Sequence, residues 1–261
     1  MIARNPIATF DHDPRAQDPG ASLWLNLQRD FLIHAGSRLV FLTDPHGLAV
    51  ESYKLLRTRL CAMSPNRGVL LVTSPNAGDG KTLTSTNLAW SLADSGKHTC
   101  LVDLDFRAPG MGRSMNYEIL ADEDGVAEVL QGSSALSKAI RRVSGTSLHV
   151  LGIKEPQPSS SQFLAPETIR PMLTKLRDIF EWVILDMPPA IPMSDVSEVL
   201  PHVDGALMVV RSGKTNKSLL QPTIDLLGSK LWGAVLNDAV INGSEYYYGY
   251  YGYGDRSKRK G

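Results

Sequence analysis

The chain contains little cysteine and no excess of either charge. Its two cysteines, Cys61 and Cys100, lie far apart, with no Cys-x-x-Cys pair and no histidine spacing typical of zinc sites. A disulfide framework is therefore excluded, and we expect buried free thiols in a reducing cytoplasm. The 27 lysines and arginines balance 27 aspartates and glutamates. This balance gives no sign of a nucleic acid partner.

The sequence also lacks a long apolar run. No stretch approaches the roughly 20 apolar residues that a membrane span requires, and the first residues, Met-Ile-Ala-Arg-Asn-Pro, lack the apolar centre of a signal peptide. We therefore expect a cytoplasmic protein that reaches a membrane only through a partner. With 261 residues, of which 43% are hydrophobic, the chain can bury a full core, and its length favours one α/β domain.

The stretch from Val69 to Thr82 is the strongest functional signal. An apolar strand is followed by a turn that contains glycine and then by Gly80-Lys81-Thr82. Gly80 lets the backbone approach a phosphate, Lys81 can reach the β- and γ-phosphate oxygens, and the Thr82 hydroxyl can hold Mg²⁺. The first glycine of the usual pattern G-x-x-x-x-G-K-[ST] is replaced here by Pro75. The alternative interpretation is an ordinary strand–turn–helix corner.

Two further apolar strands end in carboxylates. The strand from His98 to Asp103 continues as Leu-Asp-Phe-Arg, which adds Asp105, and the strand from Trp182 ends at Asp186. Ligands bind at the carboxyl ends of strands in open α/β sheets. The three aspartates are therefore candidates for the same site, and Asp186 suits a carboxylate that orients Mg²⁺-bound water.

The rest of the chain alternates between strand and helix patterns, which predicts a mostly parallel sheet with helices on both faces. The predicted segments are an amphipathic docking helix at Trp24–Leu32, an extended piece at Leu39–Leu42, helices at Gly47–Met63, Leu83–Ser95, Ala121–Gln131 and Ala135–Val143, a strand at Leu148–Leu151, a helix ending near Phe180, a helix at Lys217–Leu227 that Pro222 bends or breaks, and buried strands at Gly205–Val210 and Gly233–Leu236. We divide the chain into an N-terminal arm (1–36), a P-loop domain (37–243) and a C-terminal tail (244–261).

The end of the chain differs in composition from everything before it. It holds six of the eight tyrosines, interleaved with glycine and followed by basic residues: Tyr246, Tyr247, Tyr248, Tyr250, Tyr251 and Tyr253. Because no apolar period is present, we expect a flexible tail rather than part of the core. It is either an adhesive low-complexity tail or a set of tyrosine hydroxyls presented to another group.

Together these motifs resemble the bacterial tyrosine autokinases (BY-kinases) of capsule and exopolysaccharide export. Ser74–Thr82 resembles the family's Walker A motif, Leu101–Arg107 its Walker A′ motif and Val183–Pro189 its Walker B motif, and the tail resembles its autophosphorylated tyrosine cluster. The resemblance covers roughly Leu42 to Tyr253. It implies a P-loop NTPase-like fold of the deviant Walker, partition-ATPase-like subgroup and the stand-alone cytoplasmic type of kinase.

The resemblance also implies roles for individual residues. ATP would be held by Ala77, Gly78, Asp79, Gly80, Lys81, Thr82 and Leu83, and Asn237 is similar to a residue that reads adenine in related ATPases. Mg²⁺ would be held by Thr82, Asp105 and Asp186. Lys81, Asp103 and Asp105 would be catalytic, with Asp103 accepting the proton of a tail tyrosine. The tail tyrosines would receive the phosphoryl group.

Three charged residues on the helix Gly47–Met63 resemble the family's oligomer motif. Glu51 and Arg57 match its Glu-x-x-Arg-x-x-Arg pattern, but Lys54 replaces the first arginine and lacks the bidentate guanidinium fork. A solvated salt-bridged face is the alternative. The resemblance implies a ring of identical subunits that phosphorylate each other's tails, a transmembrane polysaccharide co-polymerase that recruits and activates the kinase, and a phosphotyrosine phosphatase.

Two other functions remain open from the sequence. A partition or division-site positioning ATPase shares this fold and both aspartate motifs. Such proteins carry an extra lysine five residues before the loop lysine, where this chain has Asn76. The second alternative is a non-catalytic, nucleotide-dependent scaffold of the polysaccharide machinery. The presence of Lys81 and all three aspartates argues against a loss of catalysis.

Overall fold

A computed structural model describes residues 29–33, 36–120, 122–157 and 162–240. An eight-stranded sheet runs through this part of the chain. Its strands are β1 (Arg29–Phe31), β2 (Gly68–Thr73), β3 (Thr99–Asp103), β4 (Arg141–Val143), β5 (Leu148–Leu151), β6 (Trp182–Asp186), β7 (Gly205–Arg211) and β8 (Leu231–Asn237). Their order across the sheet is β1-β4-β5-β3-β6-β2-β7-β8. Neighbouring strands are parallel apart from β4 and β5, so the predicted mostly parallel sheet is confirmed.

Nine α-helices are found in the described residues. They are α1 (Val40–Thr43), α2 (Leu48–Met63), α3 (Lys81–Asp94), α4 (Met111–Met115), α5 (Val126–Leu130), α6 (Leu136–Ala139), α7 (Pro166–Ile179), α8 (Asp195–Val199) and α9 (Leu220–Leu227), with 3₁₀ turns at Leu200–His202, Lys217–Leu219 and Gly228–Lys230. The long helices α2, α3 and α7 agree with the predicted ones. The predicted helix Lys217–Leu227 is divided into a 3₁₀ turn and α9, but the change lies at Leu219–Leu220 and not at Pro222. Pro222 lies in the first turn of α9, where proline is tolerated.

The two faces of the sheet carry separate hydrophobic cores, because alternate residues of a strand point to opposite faces. In β2, Leu70 and Val72 pack with leucines of α3 on one face. Val69 and Leu71 lie on the other face with Leu173 of α7. Every residue of β2, β3, β5 and β6 is buried, as expected for strands covered on both sides. The predicted helices on both faces of the sheet are thus confirmed.

Several short elements were predicted wrongly. Leu39–Leu42 is not extended: Val40 begins α1, and its N–H donates to Oδ1 of Asn87 in α3. The helix predicted at Ala135–Val143 ends at Ala139, and Arg141–Val143 form β4 between β1 and β5. Both segments take their conformation from partners distant in sequence, which overrides local preference.

The other corrections concern boundaries and burial. The helix predicted at Ala121–Gln131 covers only Val126–Leu130, because it starts at the N-cap Gly125; Ala121 lies outside the described residues. The docking helix predicted at Trp24–Leu32 is wrong over Arg29–Phe31, which form β1; residues 24–28 are not described. The strand predicted at Gly233–Leu236 is confirmed, but it is not buried, since β8 is the sheet edge and Leu236 is 60% exposed.

Both cysteines are free thiols, as predicted. Cys100 is fully buried, whereas Cys61 is only half-buried. No helix in the described part of the chain combines the length and the apolar character needed to cross a bilayer. The division into an arm, a domain and a tail remains a prediction, although β1 shows that residues 29–31 already belong to the sheet.

Candidate active site

The predicted phosphate loop connects β2 to α3 at the carboxyl edge of the sheet. Gly78 and Gly80 have φ angles of +83° and +99°, a region that favours glycine. A Cβ atom on Gly80 would lie 2.1 Å from Nδ2 of Asn237. Position 80 therefore requires glycine for two reasons: its backbone angle and the close approach of Asn237. Since α3 begins at Lys81, the backbone N–H groups of the loop and first helical turn can cradle a phosphate.

The loop is supported by hydrogen bonds from its own side chains and from the ends of β7 and β8. The buried Asp79 carboxylate accepts the Asn76 N–H at 2.9 Å and the Thr215 hydroxyl at 2.8 Å. Asn237 Nδ2 donates to the Asp79 carbonyl at 2.9 Å. The amide of Asn237 thus has a structural role in addition to the predicted contact with adenine. Sequence reasoning considered only the backbone of Asp79 and did not identify Thr215.

Lys81 is buried within a group of carboxylates. Its Nζ lies 2.5 Å from Oδ2 of Asp105, and this side chain is only 4% exposed. Burial alone would lower the pKa of Lys81, but the carboxylates of Asp186 and Asp105 raise it above its usual value. The lysine is therefore fully charged at neutral pH. A buried ammonium group at the start of α3 suits the neutralisation of phosphate oxygens.

Asp186 ends β6 and contributes an unpaired acceptor. Its Oδ1 accepts the Ser85 hydroxyl at 3.1 Å, whereas its Oδ2 is buried and has no hydrogen-bond partner among the described residues. Burial raises the pKa of Asp186, while the charge of Lys81 acts in the opposite direction. A buried oxygen without a partner is costly, so this site suits an ion or a bound water.

The donor set fits Mg²⁺. The predicted ligands Thr82, Asp105 and Asp186 offer oxygen atoms, which Mg²⁺ prefers. No cluster of three or more His, Cys, Asp or Glu side chains that would hold a metal is present in the residues that the structure describes. Beside nucleotides, Mg²⁺ is usually bound through one or two carboxylates, waters and substrate phosphates.

Asp103 lies opposite Asp186 in the register of β3 and β6. Its Oδ2 accepts the N–H groups of Gly110 and Met111, and its Oδ1 accepts the N–H of Asp105, all at 3.1 Å. Burial, together with the neighbouring charge of Asp186, raises the pKa of Asp103 to about 7. Asp103 is therefore a positioned carboxyl group whose pKa suits proton transfer near neutral pH.

A cavity of about 950 Å³ adjoins Asp103. It lies between β1, the carboxyl ends of β3 and β5, and the chain from Pro109 to Leu120. Phe31 and Tyr117 on its wall have ring centroids 4.2 Å apart. The wall of the cavity is partly apolar and partly polar, and Asp103 lies on it, although its side chain is almost fully buried.

The loop before α4 packs directly on Thr82. A Cβ atom on Gly110 would lie 2.9 Å from both Oγ1 and Cγ2 of Thr82. The Gly110 N–H is also bonded to Asp103. This glycine therefore sets the distance between the Walker A helix and the segment after Asp105. Nothing in the motif spacing identified it in advance.

The predicted site residues fall into three groups. The structure brings together the loop from Ala77 to Leu83, the three aspartates and Asn237. The predicted oligomer residues lie elsewhere, on α2, where Lys54 pairs with Glu51 at 2.8 Å and Arg57 Nη1 donates to the Ser91 carbonyl at 2.8 Å. The six tail tyrosines lie outside the described residues.

A strand–loop–helix phosphate cradle, a buried lysine and aspartates at the ends of neighbouring parallel strands define a P-loop ATPase-like protein. Residues 69–214, more than half of the chain, match the family model described as the AAA domain.

Comparison with known proteins specifies the family. The chain is 30% identical over 235 residues to "Tyrosine-protein kinase YwqD" of Bacillus subtilis (strain 168), which covers 86% of this chain and 97% of that protein. It is 29% identical over 215 residues to "Succinoglycan biosynthesis transport protein ExoP" of Rhizobium meliloti (strain 1021), covering 79% of this chain but only 27% of that longer protein. The solved structure of the kinase domain of Escherichia coli tyrosine kinase ETK superposes with a TM-score of 0.70 at 26% identity, covering 80% of this chain and 84% of that one. The chain belongs to the bacterial tyrosine autokinase family and is a protein-tyrosine kinase.

Proposed function

We propose that this kinase transfers the γ-phosphoryl group of ATP to tyrosines in the C-terminal cluster, residues 246–253, of a neighbouring copy of the same chain. The observation that carries the proposal is the meeting of Lys81, Asp103, Asp105 and Asp186 at the adjacent ends of β2, β3 and β6. Phosphoryl transfer depends mainly on positioning and charge neutralisation. The arrangement supplies the positioning, and Lys81 together with a Mg²⁺ ion at the carboxylates would supply the neutralisation.

The nucleotide is held by the phosphate loop. Backbone N–H groups of residues 77–83 surround the phosphates, and Lys81 moves from Asp105 to the phosphate oxygens. Thr82, Asp105 and Asp186 would hold Mg²⁺, which would supply charge neutralisation for the phosphates. Ser85 keeps the Asp186 carboxylate in place by its hydrogen bond to Oδ1.

Asp103 accepts the proton of the tyrosine hydroxyl. As the tyrosine oxygen forms its bond to the γ-phosphorus, the bond from that phosphorus to the β–γ bridging oxygen breaks and ADP leaves. A free tyrosine has a pKa near 10, so its attack is helped by a carboxylate aligned to take the proton. The cavity beside Asp103 offers room for the incoming aromatic ring.

Ring assembly through α2 would bring a neighbour's tail to this site. Glu51 is exposed on α2, where Leu48 and Leu55 are 46% and 39% exposed and can pack against a second subunit. Within one chain Arg57 bonds to Ser91 and Lys54 pairs with Glu51, so these three side chains would share or exchange their partners when they make the polar contacts between subunits. Phosphorylated tails would add negative charge close to an acidic site and loosen the ring. Light scattering before and after phosphatase treatment tests this; an unchanged mass in both states contradicts ring control by phosphorylation.

The names of the relatives support a proposal for the biological process. Curated relatives are named tyrosine-protein kinases, and one is named a succinoglycan biosynthesis transport protein. We place the kinase in exopolysaccharide or capsule polymerisation and export, at the inner face of the plasma membrane. A transmembrane co-polymerase recruits and activates it there, and a phosphotyrosine phosphatase resets it.

One incubation with ATP and Mg²⁺, followed by an anti-phosphotyrosine blot, tests the catalytic proposal. We expect tail labelling in the wild type, no labelling in Lys81→Met, and normal labelling in the control Lys175→Met, which changes an exposed lysine on α7. To test transfer between subunits, Lys81→Met protein with its tail intact is mixed with an active chain truncated after residue 243. Label on the Lys81→Met chain supports transfer in trans. A wild type that takes no label, even beside its membrane partner, refutes the kinase mechanism proposed here.

A further inference from the structure

The last residue of β7 and the segment that follows it, residues 211–216, hold the phosphate loop in place from the side. We call these residues the brace segment. It makes three hydrogen bonds to the loop: Thr215 Oγ1 donates to Asp79 Oδ1 at 2.8 Å, Asn216 N–H donates to Asn76 Oδ1 at 3.0 Å, and Arg211 Nη1 donates to the Gly78 carbonyl at 3.3 Å. These bonds join residues more than 130 positions apart in the chain. The loop conformation thus depends on the brace segment as well as on its own sequence.

Thr215 is the best-defined of these contacts. Its hydroxyl accepts the Arg211 N–H at 2.7 Å, so its own hydrogen is directed to the Asp79 carboxylate. Asp79 is only 2% exposed, and its second oxygen accepts the Asn76 N–H. A hydroxyl that bonds to a buried carboxylate forms one of the stronger types of protein hydrogen bond. The geometry therefore links the end of β7 to the turn of the phosphate loop through one side chain.

We propose that Thr215 is a positioning residue for nucleotide binding, acting through Asp79. The loop must keep Gly78 and Gly80 at positive φ for its N–H groups to converge on a phosphate. A loop held in that shape before binding loses less conformational freedom when the nucleotide arrives. Without the Thr215 bond, only part of the population has the loop ready, and the apparent affinity falls by that fraction. This inference rests on the nucleotide site of the proposed function, not on the identity of the phosphoacceptor.

Two substitutions at position 215 test the hydroxyl, which donates to Asp79 and accepts the Arg211 N–H; the Asp79 background described below separates these two bonds. Thr215→Val keeps the branched shape and removes the hydroxyl, whereas Thr215→Ser keeps the hydroxyl and removes the methyl group. With Mg²⁺ and a fluorescent ATP analogue as the probe, we expect Thr215→Val to raise the dissociation constant about tenfold, or ~1.4 kcal/mol, and Thr215→Ser to stay within about twofold of the wild type. Thr174→Val is the control, because Thr174 donates only to the Arg170 carbonyl on the exposed side of α7.

Steady-state kinetics distinguish positioning from simple loss of stability. We expect Thr215→Val to raise the KM for ATP by a similar factor while kcat changes less than about twofold, since uniform binding is lost. In an Asp79→Ala background, Thr215→Val should raise the KM for ATP by less than about a further twofold, because the carboxylate to which the Thr215 hydroxyl donates is already absent. If Asp79→Ala does not fold, the comparison of valine with serine still decides the question.

Two results overturn the inference. The first is an affinity of Thr215→Val for the ATP analogue that falls by less than about threefold. The second is a Thr215→Ser protein that binds the analogue as weakly as Thr215→Val does. Direct binding is read without any tyrosine label. A protein that binds nucleotide but phosphorylates no tail would therefore refute the proposed function and leave the role of Thr215 testable.

Discussion

Gly110→Ala tests how tightly the Walker A helix is held against the segment after Asp105. The new Cβ atom would lie 2.9 Å from Oγ1 and Cγ2 of Thr82, about 0.5 Å inside the shortest ordinary contact of 3.4 Å. Neither the backbone at Gly110 nor the Thr82 side chain can move easily. The Gly110 N–H is bonded to Asp103, and its carbonyl accepts the Ser114 N–H, while Thr82 has a branched side chain in the first turn of α3.

The expected consequence is a displaced Thr82 hydroxyl in a folded protein. Overpacking of this kind costs ~1–3 kcal/mol of stability. Misplacement of a positioned group by about 1 Å can cost ~100-fold in rate, so a shift of about half that distance predicts a roughly 10-fold fall in the rate of tail labelling. Because Thr82 is the proposed Mg²⁺ ligand, the Mg²⁺ concentration for half-maximal rate should also rise.

The assay is the initial rate of tail phosphorylation as a function of Mg²⁺. Gly233→Ala on β8 is the matched control, since a Cβ atom there meets nothing within 4 Å. Adding Thr82→Ser to Gly110→Ala removes the contact with Cγ2 and should restore part of the rate. Wild-type rates for Gly110→Ala at every Mg²⁺ concentration would refute this reasoning, as would a loss that Thr82→Ser leaves entirely unchanged.

Two further predictions concern buried charge. Burial, with the nearby charges of His98 and Arg142, lowers the pKa of His149 to about 3 from 6.5, so the folded state stays neutral where the unfolded chain gains a proton. Stability is therefore full above about pH 6.5 and falls towards pH 3; relative to about pH 7.5, ~2 kcal/mol should be lost at about pH 5. Urea unfolding at both pH values should show this loss, and His149→Leu should reduce it; an equal loss in the variant contradicts the assignment. Arg141→Met should cost up to ~3–5 kcal/mol, because it removes the guanidinium group 3.1 Å from the buried Glu123, whose Oε2 still accepts the Leu120 N–H. Adding Glu123→Gln should recover part of the urea midpoint, and no recovery would argue against an electrostatic origin.

The sequence predicted the elements that long local patterns specify. The apolar runs of β2, β3 and β6 and the helices α2 and α3 need no information beyond their own residues. In contrast, α1 and β4 are too short to be stable alone. Val40 is bonded to Asn87, and Arg141 pairs with Val150 of β5. Such segments take the conformation that distant partners impose. A short stretch of local sequence does not contain those partners, so it cannot predict the conformation.

The same division applies to the active site: features that follow from local patterns were predictable, and contacts between distant loops were not. Aspartates that end apolar strands were expected to converge, because carboxyl ends of parallel strands meet at one edge. The contacts of Gly110 with Thr82 and of Thr215 with Asp79 depend instead on how separate loops pack. Asp79 was assigned only a backbone role, since the motif alone does not show where its side chain points.

The excess of carboxylates over ammonium groups around the phosphate loop has a thermodynamic consequence. Three buried aspartates, Asp103, Asp105 and Asp186, surround the one ammonium group of Lys81. The pKa values of Asp103 and Asp186 are raised because burial disfavours their ionised forms. Metal-free ATP would bring more negative charge into this region. Divalent cation and nucleotide affinities should therefore be strongly linked, each ligand promoting retention of the other, so that cellular magnesium levels would influence how fully the kinase is loaded.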